Sequence, residues 1–267
     1  MQIDRLSLRG FRNYEDAQAQ FVPGVNLLVG GNANGKTNLL EAVSYLSTGR
    51  SFRTRREAEL IRFGADFAEL RAQVQSQERT RELRAVLFSG RQPRQLWLAG
   101  VRQRSRAALS GVLTSVLFCP EDLMILKKGA SGRRRLMDGV ICQLRPNYEA
   151  ALAEYGRLLD QKSALLRERY DNPSLLQVLP EYDLRMAQTG ALVISYRARY
   201  VKALAQEAAR YHREFSGDSE SLELTYRTVS TVTDPFAPPE TLCAQLQEHQ
   251  RSHARAELES AQCLSGP

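Results

Sequence analysis

The sequence predicts an α/β protein organised around a phosphate-binding loop, and three observations carry that expectation. Residues 30–37 fit the pattern G-x-x-x-x-G-K-[ST]. An apolar run at 25–29 leads into it and reads as a buried strand, while Leu39, Leu40, Val43 and Leu46 recur behind it at helical spacing. Stretches of alternating apolar and polar residues flank this unit, and the second half carries two long segments with apolar stripes.

The loop explains itself by residue type. Gly30, Gly31 and Gly35 permit backbone angles that side chains block. Asn32, Ala33 and Asn34 complete a turn whose N–H groups can point inward at a triphosphate, and the following helix adds its positive end. Lys36 can reach the β- and γ-phosphates, and the Thr37 hydroxyl can ligate Mg²⁺. A glycine turn that binds nothing has no need of that lysine.

In chain order, residues 3–11 alternate and read as a strand with one buried face. Residues 13–16 are turn-like, and 17–21 form a second strand stopped by Pro23-Gly24. Two strands before the loop set the chain apart from small kinases and GTPases. Residues 50–62 are arginine-dense, and Arg53, Arg55 and Arg56 either face DNA phosphates or sit in water. Residues 68–74, 82–88 and 95–98 read as an antiparallel meander, with Trp97 expected in the core. Residues 115–118 read as a short buried strand. Glu121 and Asp122 follow it, either as acid groups around Mg²⁺ and water or as residues complementing a helix start behind Pro120. A helix opens at 129–138 with Ser131 as its N-cap. Long helices at 148–170 and 175–211 form an antiparallel hairpin, joined by Asp171-Asn172-Pro173. Residues 222–226 read as a strand and 241–259 as a polar helix.

The 267 residues are 43% hydrophobic and 25% charged, the composition of a globular protein with a core. No membrane-length apolar run or signal peptide is evident, so a cytoplasmic location is expected. Four cysteines without C-x-x-C read as reduced thiols. His249 and His253 share a helix face with Cys243 before and Cys263 after, but their neighbours are those of a solvated helix and the spacing matches no compact zinc module. Net charge is +7 and unevenly spread. Residues 1–140 hold 23 Lys+Arg against 13 Asp+Glu, and 141–267 hold 14 against 17. The basic excess sits with the phosphate loop and is nearly all arginine, which points to a polyanion such as nucleic acid.

Taken together, residues 8–14 (Leu-Arg-Gly-Phe-Arg-Asn-Tyr), 23–42, 47–53, 60–64, 118–123 and 132–138 resemble the RecF family, bacterial recombination mediators with ABC-type ATPase heads related to SMC proteins. The resemblance covers nearly the whole chain. It implies ATP and Mg²⁺ as cofactors, with Arg12 and Asn13 beside the nucleotide. It implies a lobe I over 1–144, a helical lobe II over 145–215 and an incomplete part of the head over 216–267. Single- and double-stranded DNA, especially at gaps, RecO- and RecR-like mediators and an ATP-dependent homodimer are the partners it implies. The implied role is loading RecA at gaps in repair, replication and the SOS response.

Family members continue past Gly266-Pro267 with a His-Arg-Asp-Asp-Leu element, a signature motif and a Walker B strand. The sequence is therefore expected to lack core strands, to contain no catalytic residue, and to bind ATP more readily than it turns it over. Marginal stability is expected too, and a sharp two-state melt above the mesophile range would count against it. Two alternatives are a non-hydrolysing nucleotide-binding module and a self-contained P-loop kinase. Small-molecule phosphorylation without DNA would favour the second.

Overall fold

The computed structural model describes residues 1–76, 79–125, 129–264 and 266. It divides into two compact units, Met1–Pro146 and Asn147–Pro267.

The first unit is built on a six-stranded antiparallel sheet in the order β2-β1-β3-β4-β5-β6. Its strands are β1 (Gln2–Phe11), β2 (Tyr14–Gln20), β3 (Phe67–Ser76), β4 (Arg79–Phe88), β5 (Gln95–Leu98) and β6 (Val101–Gln103). Alternation sets the faces: Leu6, Leu8, Leu70, Ala72, Leu83, Ala85 and Leu96 are buried, while Arg5, Arg9, Arg71 and Arg84 point the other way. The β1–β2 turn is only two residues, Arg12-Asn13, between the paired Phe11 and Tyr14, and Arg12 adopts φ 54°. The helix α1 (Lys36–Thr48) lays Ala42, Tyr45 and Leu46 on the buried face, where Phe11, Leu60, Val112 and Leu113 complete one core. Helix α2 (Gly129–Leu144) follows.

Gly49 ends α1 in the left-handed region at φ 63°. A β-carbon there would lie 2.0 Å from Arg106 Cδ, so any side chain at 49 would have to displace that arginine from the helix end. Two arginines finish the helix end. Arg106 donates to the Thr48 carbonyl, and Arg94 donates to the Gly49 carbonyl at 2.8 Å and to Glu57.

Three expected strands do not form. Residues 25–29 pair with no strand among the described residues, and Val25, Leu27 and Val29 are more than four-fifths exposed. Asn26 instead folds the approach into a turn, accepting from Val22 N at 3.0 Å and donating to Val22 O at 2.8 Å. At 115–118 the Ser115 N–H is taken by the Gln143 side chain at 2.8 Å, and Val116 and Phe118 are exposed. Residues 222–226 make no ladder, and Tyr226 packs against helices of the second unit. An apolar run becomes a strand only where another strand meets it. Two further corrections concern single residues. Trp97 lies on the outward face of the sheet, opposite Arg84 and Arg102, because its neighbour Leu96 takes the core side. Ser131 lies inside α2, which is already helical at Gly129, and is no N-cap.

The second unit consists of α3 (Pro146–Glu168), α4 (Leu179–Ser216) and α5 (Pro239–Ser260). The chain from 173 to 178 forms a separate short 3-10 turn, so α4 starts later than 175; Pro180 sits in its first turn, where a missing N–H costs nothing. Helices α3 and α4 run antiparallel, as Tyr148 meets Tyr196 edge-on, Glu154 meets Arg185, and Lys162 meets Asp183. Gly190 lets α4 approach closely: a β-carbon would stand 3.0 Å from Leu246 Cδ1 and 3.4 Å from Tyr155 Cε2. Lys162 is fully buried and bonded at 2.5 Å to both Asp183 of α4 and Glu257 of α5.

Candidate nucleotide-binding site

The phosphate-loop residues gather at the start of α1. Gly30 to Asn34 are open to solvent, and Gly35 is buried at φ 91°. The φ favours glycine, and a β-carbon on Gly35 would stand 2.8 Å from the Tyr14 hydroxyl and 2.9 Å from the Asn13 amide atoms, so a side chain there would also push those two groups aside. The first helical bond runs from Leu39 N to Gly35 O at 3.0 Å. Thr37 is exposed in the first turn. No acidic side chain occupies that turn, so nothing on the helix competes with an incoming anion for its positive end. The Lys36 ammonium donates to the Gly30 and Gly31 carbonyls, each at 2.7 Å, and is thereby held over the loop. These groups fit a phosphate: a cation, a hydroxyl and the start of a helix share one open stretch of the chain.

Behind the loop lies a carboxylate that reading the sequence did not single out. Glu41 is fully buried on α1. Arg12 grips it in two-pronged fashion, Nε to Oε2 at 2.9 Å and Nη2 to Oε1 at 2.7 Å, and also donates to the Glu59 carbonyl at 2.7 Å. Ser51 donates to Oε1, and Arg53 Nη1 stands 3.4 Å from Oε2. Burial pushes the Glu41 carboxyl up, but the hydrogen bonds of Arg12 and Ser51 and the charges of Arg12 and Arg53 outweigh it and hold it below its ordinary 4.5. The network continues to the loop: Arg53 donates to Asn38 Oδ1, and Asn38 Nδ2 donates to Asn13 Oδ1, both at 2.7 Å.

The geometry thus sorts the expected residues. Asn13 borders the loop directly. Arg12 stands one step back, its guanidinium committed to Glu41. Arg53 faces inward to Asn38 and Glu41 although its side chain is 44% exposed, whereas Arg55 and Arg56 are exposed. Asp122 accepts from Cys119 N at 2.9 Å and so caps the 3-10 turn Pro120–Met124. The Glu121 side chain lies outside the described residues. Glu41 did leave a signal, since a charged residue on the apolar stripe between Asn38 and Tyr45 needs a buried partner.

Because Glu41 has a lowered folded value, its contribution to stability is full at neutral pH. It is lost as pH falls below 4.5 through the folded value. Glu41→Gln keeps the shape and removes the charge that Arg12 and Arg53 surround. It is expected to cost about 1–3 kcal/mol at pH 7 and less in acid, read from denaturant melts at both pH values. An equal loss at both would show that charge is not what Glu41 supplies.

Residues 2–95 match the family model for the RecF/RecN/SMC N terminal domain. A relative from Symbiobacterium thermophilum, described as DNA replication and repair protein RecF, is 39% identical over all of this chain and 70% of its own length. The chain belongs to the RecF family. A second RecF, from Lactobacillus johnsonii, is 34% identical over all of this chain and 71% of its length. The solved structure of "the recombination mediator protein RecF-ATPrS in RecFOR pathway" superimposes with a TM-score of 0.91 at 27% identity, covering 100% of this chain and 71% of that one. A RecF-ATP structure of the same pathway gives 0.87 at 28%. The fold is accordingly that of the RecF ATPase head, mixed α/β with an antiparallel sheet and a helical unit.

Proposed function

We propose that this chain is the ATP- and DNA-binding part of a RecF recombination mediator. The observation that carries the reading is the open loop at the start of α1, with Lys36 held over it and no carboxylate in the first turn. In this reading Gly30, Gly31, Asn32, Ala33, Asn34, Gly35, Lys36 and Thr37 cradle the phosphates, and Asn13 lines the site. Arg12 orients it through Glu41. Thr37 holds Mg²⁺ with Glu121 as a second ligand, and ATP binding, with no turnover assigned, is the activity. Residues 1–144 serve as the nucleotide lobe, 145–215 as the helical lobe and 216–267 as a further part of the head.

Arg55 and Arg56 are exposed beside the site and suited to DNA phosphates; Arg53 joins them only by leaving Asn38. RecO- and RecR-like mediators and a second copy of the chain are the proposed protein partners. No helix among the described residues is long and apolar enough to cross a membrane, which accords with work on DNA in the cytoplasm. The test is DNA affinity measured against salt. Binding through arginines to phosphates predicts a linear fall of log K with log salt, steeper as more phosphates are engaged. Affinity indifferent to salt, or no binding at low salt, overturns the DNA half of the reading.

A further inference from the structure

The outward face of the six-stranded sheet carries an ordered row that the nucleotide site does not use. Strand register places Ser7, Arg71, Arg84, Trp97 and Arg102 directly opposite one another on β1, β3, β4, β5 and β6. The Arg84 guanidinium lies over the Trp97 ring, 4.5 Å from its centre. On the same face Arg9 lies over Phe67 at 5.7 Å. Both aromatic side chains are half-buried. Arg71 and Arg84 stand directly opposite one another, which is costly because like charges so placed repel. Only part of that cost is met on the face: Glu69 accepts from Arg71 at 2.7 Å and from Arg84 at 2.6 Å, which holds its carboxyl below the usual range despite burial. Arg5, Arg9, Arg71, Arg84 and Arg102 face Asp16, Glu69 and Glu82, so the surface stays cationic.

A large aromatic ring turned away from the core, with arginines on both flanking strands, suits one class of ligand. Bases stack on aromatic rings and guanidinium planes, while phosphates pair with the guanidinium charge. We propose that this face, centred on Trp97, holds an unpaired nucleic-acid strand by base stacking. The proposal rests on the DNA-binding reading above and adds where an unpaired strand lies and how it is gripped. A duplex keeps its bases stacked on one another and offers Trp97 only its backbone.

Trp97 is the chain's one tryptophan, so its fluorescence reports on this face alone. Titration with an oligo(dT) strand at low salt is expected to quench that emission strongly, and duplex DNA to quench it little. By anisotropy of a labelled oligo(dT), Trp97→Ala is expected to lose about tenfold in affinity, the worth of one stacked base. Trp97→Phe keeps a ring and should retain most of it, which separates stacking from loss of fold. Arg102→Ala should lower the salt slope by about 0.7, one phosphate contact on a single strand. Oligo(dT) binding with unchanged Trp97 emission and undiminished affinity of Trp97→Ala overturns this proposal and leaves DNA binding in place. Equal quenching by poly-glutamate also overturns it, because an acidic chain would then be the occupant. If neither strand nor duplex binds, the DNA-binding reading falls and takes this one with it.

Discussion

Replacing Lys36 with alanine is expected to lower ATP affinity by about 100-fold or more, the size of losing two charge-assisted hydrogen bonds to phosphate. The fold should be unaffected. Among the described residues the ammonium bonds the Gly30 and Gly31 carbonyls, on a solvent-facing loop where water can replace it. The measurement is nucleotide titration of parent and Lys36→Ala side by side, with thermal melts of both without nucleotide. Added ATP should raise the melting temperature of the parent, since a ligand that binds only the folded state stabilises it, and should leave the variant unmoved. Equal affinity in the two proteins would remove the phosphate-loop assignment, and with it the whole nucleotide half of the proposed function.

Lys162→Ala is expected to destabilise the helical unit by about 3–5 kcal/mol, because it removes the buried cation that stands between the Asp183 and Glu257 carboxylates. The pairing ties all three long helices: Lys162 from α3, Asp183 from α4 and Glu257 from α5. Burial alone would depress the lysine, but the hydrogen bonds to Asp183 and Glu257 outweigh it and raise it above its ordinary 10.5. The stabilisation is therefore complete at neutral pH and is lost only as pH rises above 10.5 through the raised value. A melt of Lys162→Ala should drop by about 10 °C or more. Combining Lys162→Met with Glu257→Leu should recover much of the loss, since apolar groups of similar volume can replace a buried pair at little cost. A shift of only a degree or two in the single variant would mean that packing, not this charge cluster, holds the helices.

What the sequence made legible follows a physical line. Strands β1, β3, β4 and β5 were readable because alternation at Leu6/Leu8, Leu70/Ala72 and Leu83/Ala85 is written locally. The loop and α1 were readable because glycine and lysine spacing is a local code. Residues 25–29 and 115–118 misled for the opposite reason: an apolar run names its composition but not its partner, and here Asn26 turns the chain back on Val22 while Gln143, 28 residues away, takes the Ser115 N–H. Trp97 misled because four residues of β5 are too few to show which phase of the alternation is inward. In the site, Lys36 and Gly35 are visible directly, whereas Glu41 shows only as a charge on a helix face that packs inward, with no partner named. Its four contacts come from residues 12, 51 and 53, and only folding brings them to one carboxylate.

The two ends of α1 are fastened to neighbouring framework in different ways. At its start Gly35 is wedged under Asn13 and Tyr14 of the β1–β2 turn; at its finish Arg94 and Arg106 hold the last carbonyls. A rod of 13 residues, about 20 Å long, pinned at both tips has little freedom to tilt or slide. Residues 30–34, by contrast, lie open to solvent, and among the described residues it is Lys36 that holds their backbone, at the Gly30 and Gly31 carbonyls. The helix is thereby the fixed member of the pair, so in the proposed nucleotide site any adjustment to a ligand falls to residues 30–34 and not to the helix.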